Sequence, residues 1–301
     1  MTGETRQTEA ANPRSSELDA MDSLAIVRLM NSEDASVPVA IERILPELAA
    51  AIDDIVARLR DGGRLIYVGA GTSGRLAVLD AVECVPTFSV PPTLVSAMLA
   101  GGDEAMVHSA EGAEDDVAAA RADIDARDVS ATDGVVGIAA SGTTPYVISA
   151  LAAARERGAL TVGIANNAGT PILEGVDHQL ALETGPEVLS GSTRLKAGTS
   201  QKLVLNMIST ASMVRLGKVH GNRMIDVAIT NQKLHARAVG IVMDLVECDR
   251  DRAAQLLTDA DDEVKTAVLM GLRELDADAA RTALAASDGV LRTSLAASAP
   301  R

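Results

Sequence analysis

The chain has 301 residues, 47% hydrophobic and 23% charged, with 27 basic against 42 acidic side chains and a net charge of −15. That composition is globular and excludes a disordered or collagen-like chain, and so acidic a surface repels phosphate backbones and anionic lipid, which argues against nucleic-acid or membrane binding as the main task. The only aromatic rings are Tyr67, Phe88 and Tyr146, so a bound sugar has to be read by hydrogen bonds rather than by ring stacking.

Residues 1–17 (MTGETRQTEAANPRSSE) hold no apolar run, which excludes a signal peptide and predicts a flexible arm. From Leu18 apolar residues recur at three and four, and the helical spacing continues over Val39–Leu48 and Ile52–Leu59 until Gly62 and Gly63 stop it. RLIYVGAG (64–71) is a short apolar run of strand formers, followed by TSG and then RLAVLDAVEC at helical spacing. The unit recurs in GVVGIAASGTTPYVISALAAARERG (134–158), whose uncharged stretch is broken by Ser141–Pro145 and so does not read as a membrane span. LTVGIANN (160–167), TLVSAMLAGG (93–102) and HQLALETG (178–185) read as further strands. Nearly continuous apolar strands alternating with helices imply a parallel sheet covered on both faces, with ligands held beyond the carboxyl ends of its strands. After about Val239 the texture changes to short amphipathic helices with Asp261, Asp276 and Asp288 as candidate caps. The expected organisation is therefore an arm over 1–17, an α/β domain with N-terminal helices over 18–239, and a helical appendage over 240–301.

Cys84 and Cys248 make no disulfide framework, and the four histidines show no metal-ligand spacing. Cys84, beside Glu83 but with no cation nearby in sequence, reads as a buried thiol. GAGTSG (69–74) matches the dinucleotide pattern GxGxxG, but the acid required about 20 residues on is missing from TLVSAML. A second reading is that Thr72–Ser73 and Ser141–Gly142–Thr143–Thr144 place hydroxyls and free N–H groups at two helix N-termini, where a phosphate and its polyol are well held. Helix capping alone also accounts for such residues at either loop. GSTRLKAGTSQK (191–202) gathers Arg194, Lys196 and Lys202 in an acidic protein, either as surface cations or as a clamp for a phosphate or carboxylate.

These loops, with VPVAIERILPELAAAI, GGRLIYVGAGTSGRLAVLDAVECVPTF, AEGAEDD, GIAASGTTPYV, ETGPEVLSGSTRLKAGTSQKLVLNMISTASM and GKVHGNRMIDV, resemble the sugar isomerase (SIS) domain family of phosphosugar binders, and within it the branch that cleaves a sugar ether. The resemblance runs from about Leu18 to the C-terminal helices. Val85, Ser89 and Thr143 depart from it, standing where that branch more often has Pro, Gly and Arg. It implies a doubly wound SIS sheet and cleavage of the D-lactyl ether at carbon 3 of N-acetylmuramic acid 6-phosphate. The expected products are N-acetylglucosamine 6-phosphate and D-lactate, formed by elimination and then water addition, as part of cell-wall amino-sugar recycling. It further implies Glu83 and Glu114 as the acid–base pair, with Glu83, in the apolar setting AVECVPTF, as the acid whose desolvation would raise its pKa, and Glu114 as the base at carbon 2. Thr72, Ser73, Ser141, Gly142, Thr143, Thr144, Ser192, Arg194 and Lys196 are the expected substrate contacts, with His220 and Asn222 of GKVHGN as further approaches to the site. No cofactor or metal is needed, and a cytoplasmic homodimer is expected. A sugar-phosphate isomerase and a non-catalytic phosphosugar sensor are the alternatives on the same fold.

Overall fold

A computed structural model describes residues 6–108, 110–226, 229 and 231–297. Short 3-10 turns lead into three helices: α1 (Ser23–Asp34), α2 (Val37–Glu42) and α3 (Leu45–Arg60). Then strands and helices alternate as expected: β1 (Leu65–Gly69), α4 (Gly71–Phe88), β2 (Val95–Leu99), α5 (Val117–Ala126), β3 (Gly134–Ala139), α6 (Pro145–Glu156), β4 (Leu160–Ala165) and β5 (His178–Ala181). The long α7 (Lys196–Arg215) is followed by a hairpin of β6 (Val219–His220) and β7 (Arg223–Met224). The chain then forms α8 (Gln232–Val246), α9 (Arg250–Asp259), α10 (Val264–Arg273), α11 (Ala277–Ala285) and α12 (Leu291–Ala296).

The five long strands form one parallel sheet in the order β2-β1-β3-β4-β5. Every residue of β1, β3 and β4 is buried, because helices cover both faces, and each enclosed Leu or Ile contributes about 1.5–3 kcal/mol. Gly134 and Gly137, three apart on β3, face opposite sides of the sheet. A Cβ at Gly134 would meet Ile55 of α3, whereas one at Gly137 would run into Val147 and Leu151 of α6. The parallel α/β sheet and the added C-terminal helices are as the sequence implies. Two compact units emerge: residues 1–82 with 92–209, and residues 83–91 with 210–301. The second unit takes in the last residues of α7, and it has its own core of α8–α12 side chains including Val242, Leu257, Val268 and Leu284.

Two local expectations are corrected. Residues 6–17 are tied down rather than flexible, with Thr8 fully enclosed and Asn12 buried; their partners are given below. Of the three aspartates expected to cap helices, only Asp276 does so, accepting from Ala279 N–H at 2.8 Å. Asp261 and Asp288 instead take left-handed backbone, φ +53° and +51°, and Asp261 pairs with Arg281 at 2.7 Å. The working caps include Asp22, Asp116, Asn231 and Asp249, each accepting from the N–H three residues on.

Candidate active site

Because β1 and β3 are neighbours with β2 outside one and β4 outside the other, the winding reverses between them, and a ligand crevice is expected at their carboxyl ends. Both glycine-rich loops lie there, since Gly69 at the end of β1 is in register with Ile138 of β3. The glycines of GAGTSG have a packing cause. A Cβ on Gly69 would stand 2.6 Å from Gly74 N, and one on Gly74 would stand 2.7 Å from Gly69 O and 2.4 Å from Leu99. The pattern therefore serves close approach of α4 to β1, which needs no dinucleotide.

In the first loop Ser73 is buried and Thr72 half-buried. In the second, Ser141 Oγ accepts from Thr143 N–H at 3.2 Å and from Thr143 Oγ1 at 3.1 Å. Gly142 has φ +75°, and a Cβ there would fall 2.1 Å from Thr170 Oγ1, so the turn is closed to larger residues. Thr144 occupies the N-cap of α6, yet its side chain makes no capping bond. At that helix, capping does not use the hydroxyl.

The start of α7 lies against the first loop, where a Cβ on Gly198 would come 3.5 Å from Thr72 Cγ2. The α7 N-terminus already holds an anion: buried Glu187 accepts from Lys196 N–H at 3.0 Å and Ala197 N–H at 2.9 Å. Burial raises the Glu187 pKa, an effect only partly offset by those two bonds. Lys196 is itself enclosed, its Nζ donating to Glu33 Oε2 at 2.6 Å. Arg194 is exposed and Ser192 half-buried. Of the expected clamp, Arg194 faces solvent, while Lys196 spends its charge on a carboxylate inside the protein.

Glu114 sits exposed in a 3-10 turn, Ala113–Asp115. With Glu111 and Arg75 it lines a cleft of about 320 Å³ that reaches Ala70 and Gly71 of the first loop. Arg75 fixes one wall by donating to the carbonyls of Met106 and His108, both at 3.1 Å. The fold thus brings Glu114 to the first loop although 40 residues separate them. Glu83 lies on α4 within the second unit and is exposed, not enclosed by its apolar neighbours as expected. On that turn Cys84 and Phe88 face inward while Val82 faces solvent, because helical spacing separates adjacent residues by about 100°. His220, also in the second unit, has its pKa lowered by burial and by the charge of Arg292.

Several buried polar residues around these loops have no distinctive sequence signal. Asp80 accepts from Tyr67 Oη at 3.0 Å, Asn206 Nδ2 at 2.6 Å and Ser209 Oγ at 3.0 Å, tying α4 to β1 and α7. Burial nevertheless raises its pKa. At the end of β4, Asn166 donates to Ser200 Oγ at 2.8 Å and accepts from Gln201 Nε2 at 2.9 Å. Among the described residues no group of three or more His, Cys, Asp or Glu side chains is arranged to hold a metal ion, and no helix is long and apolar enough to cross a membrane.

Family models for the glucokinase regulatory protein N-terminal SIS domain, the SIS domain and the C-terminal lid domain of glucokinase regulatory protein match residues 47–155, 108–211 and 221–263. An N-acetylmuramic acid 6-phosphate etherase of Streptomyces coelicolor is 52% identical over 294 residues, covering 98% of this chain and 94% of that protein. The chain belongs to the N-acetylmuramic acid 6-phosphate etherase family. A second etherase, from Serratia proteamaculans, is also 52% identical, with 96% of this chain and 97% of that protein covered. The fold is shared more widely than the etherase family. A phosphoheptose isomerase from Francisella tularensis superposes with a TM-score of 0.53 at 18% identity, covering 64% of this chain and all of that one.

Proposed function

We propose that this chain cleaves the D-lactyl ether of N-acetylmuramic acid 6-phosphate, yielding N-acetylglucosamine 6-phosphate and D-lactate in cell-wall recycling. The observation that carries the reading is the pair of hydroxyl-bearing loops at the β1/β3 crevice, with Glu114 on the cleft beside the first, in a chain half identical to etherases of that name. The phosphate and sugar hydroxyls are held by Thr72, Ser73, Ser141, Thr143 and Thr144 with the main chain at Gly142. Ser192 and Arg194 add to the substrate contacts. Lys196 holds the α7 end of that segment through Glu33.

Direct displacement of an ether expels a poor leaving group. Opening the sugar ring to the aldehyde acidifies the hydrogen on carbon 2, and Glu114 takes that proton. The electron pair left behind forms the carbon 2–carbon 3 double bond as the lactyl oxygen departs, protonated by Glu83. Water then adds at carbon 3, losing a proton to Glu83, while Glu114 returns its proton to carbon 2, so both carboxyls are restored and the net change is one water consumed. Each positioned acid or base contributes about 10²–10⁴ in rate. The working form is a cytoplasmic homodimer; Leu79 and Val82, 50% and 60% exposed one turn and one residue before Glu83, support a surface that another subunit covers.

The test is incubation with N-acetylmuramic acid 6-phosphate in oxygen-18 water, following products by mass spectrometry. D-Lactate without label and sugar labelled at carbon 3 are expected, and Glu114→Gln should lower kcat/KM by 10²–10⁴. Labelled lactate would overturn the elimination route, and bound substrate with no lactate released would favour a sensor.

A further inference from the structure

The N-terminal segment, which holds no apolar run, has two buried polar side chains, Thr8 and Asn12, in a stretch of five residues. Thr8 and Asn167 exchange hydrogen bonds: Thr8 N–H donates to Asn167 Oδ1 at 3.2 Å, and Asn167 Nδ2 donates to Thr8 Oγ1 at 2.9 Å. The same Nδ2 donates to the carbonyls of Ala140 at 3.1 Å and Ser141 at 3.3 Å, which are the main chain of the second glycine-rich loop. A donor on one side of the amide and acceptors on the other fix its orientation. Two hydrogens shared among three acceptors leave nothing for a rearranged loop.

The segment also reaches the chain before α7. Ser190 Oγ donates to the carbonyls of Glu9 and Ala10 at 3.3 and 3.4 Å. Asn12 Nδ2 donates to Glu33 Oε2 at 2.9 Å and Pro186 O at 3.4 Å, and that same Glu33 oxygen holds Lys196. Thr8 and Asn12 bury little apolar surface, so hydrophobic gain does not explain their enclosure. Buried polar groups that are fully bonded specify one geometry and penalise alternatives.

We propose that residues 8–12 are a positioning element of the substrate site: Thr8 sets the 140–141 carbonyls through Asn167 and so aims the Ser141 and Thr143 hydroxyls, while Asn12 steadies the 186–196 segment. The proposal rests on the etherase reading for its ligand. It assigns no chemistry to Thr8 or Asn167, which act on substrate only through the loop.

The test uses full-length Thr8→Val, Thr8→Ser and Asn167→Asp, with kcat and KM for lactate release and amide hydrogen exchange over residues 140–144. Asn167→Asp, which turns a carboxylate oxygen toward two carbonyls, should raise KM at least tenfold with kcat within threefold of the parent. Thr8→Val should raise KM about threefold to tenfold, and Thr8→Ser should restore it. Unchanged KM in Asn167→Asp, or a fall in kcat alone, would overturn the proposal, since a merely structural role removes active molecules without weakening binding. If Asn167→Asp does not fold, the contrast of Thr8→Val with Thr8→Ser decides in the same terms. If the parent itself releases no lactate, the etherase reading fails separately. Exchange then decides the positioning claim: faster exchange at 140–144 in Thr8→Val supports it, and an unchanged rate overturns it.

Discussion

Replacing Lys196 by Met tests whether its charge serves the fold. Lys196 and Glu33 are 2% and 7% exposed and 2.6 Å apart. Removing one partner of a buried pair costs about 3–5 kcal/mol, because the other is left uncompensated. Here Glu33 keeps Asn12 at 2.9 Å and Arg14 at 2.6 Å, the latter half in solvent, so the expected loss is about 2–3 kcal/mol. With a urea slope of about 2 kcal/mol per molar, the midpoint should fall by roughly 1 M. Burial alone would push the Glu33 pKa up, but Lys196, Asn12 and Arg14 together hold it below the usual carboxylate value. A depressed carboxylate stabilises above its unfolded pKa and loses that contribution as pH falls through the folded one. The destabilisation by Lys196→Met should therefore be full at pH 7 and shrink below about pH 4. Urea titrations at both pH values, with Glu33→Gln and the double variant completing a cycle, should give a coupling of about 2 kcal/mol at neutral pH. A coupling under about 0.5 kcal/mol, or a parent-like midpoint with a sharply raised KM, would refute this reasoning and return Lys196 to the substrate clamp.

Two further outcomes follow from the same kind of accounting. His178 on β5 is opposed by burial, but its ring nitrogens lie 2.9 Å from Glu47 and 2.8 Å from Asp54 of α3, and these bonds raise its pKa; the tie between α3 and β5 is complete below about pH 6.5 and fades as pH climbs through the raised value. The stability gap between parent and His178→Asn should accordingly narrow from pH 6 to pH 9, as read by urea midpoints. Ser89 carries φ +50°, a backbone conformation that favours Gly, with its Oγ buried and without a hydrogen-bond partner. Ser89→Gly relieves about 1–2 kcal/mol of left-handed strain against the greater freedom of unfolded Gly. It should raise the far-UV melting temperature by about 2 °C.

Strand–turn–helix punctuation was legible because it is local: apolar runs ending in GAGTSG and ASGTTP encode β1, β3 and the two loops in contiguous residues. The caps at Asp261 and Asp288 were misjudged because an aspartate before a helix also suits a left-handed turn, and only the backbone distinguishes the two. Burial of Thr8 and Asn12 was hidden for a different reason. Their partners Asn167 and Glu33 lie 159 and 21 residues away, and polar side chains bonded to one another leave no periodicity. Glu83 looked enclosed because its sequence neighbours are apolar, whereas on a helix those neighbours point elsewhere. Placing Glu114 beside the first loop required the tertiary fold.

The two tyrosines, Tyr67 and Tyr146, are both fully enclosed in the first compact unit, and the second unit holds Phe88 and no tyrosine. With no Trp anywhere in the chain, intrinsic tyrosine emission and the tyrosine bands of the near-ultraviolet spectrum report the sheet domain alone. The largely helical second unit registers in the far ultraviolet but is dark to those probes. Melting one sample by both signals therefore separates the two transitions without labels, and a single introduced Trp in α8–α12 would shine against an empty background.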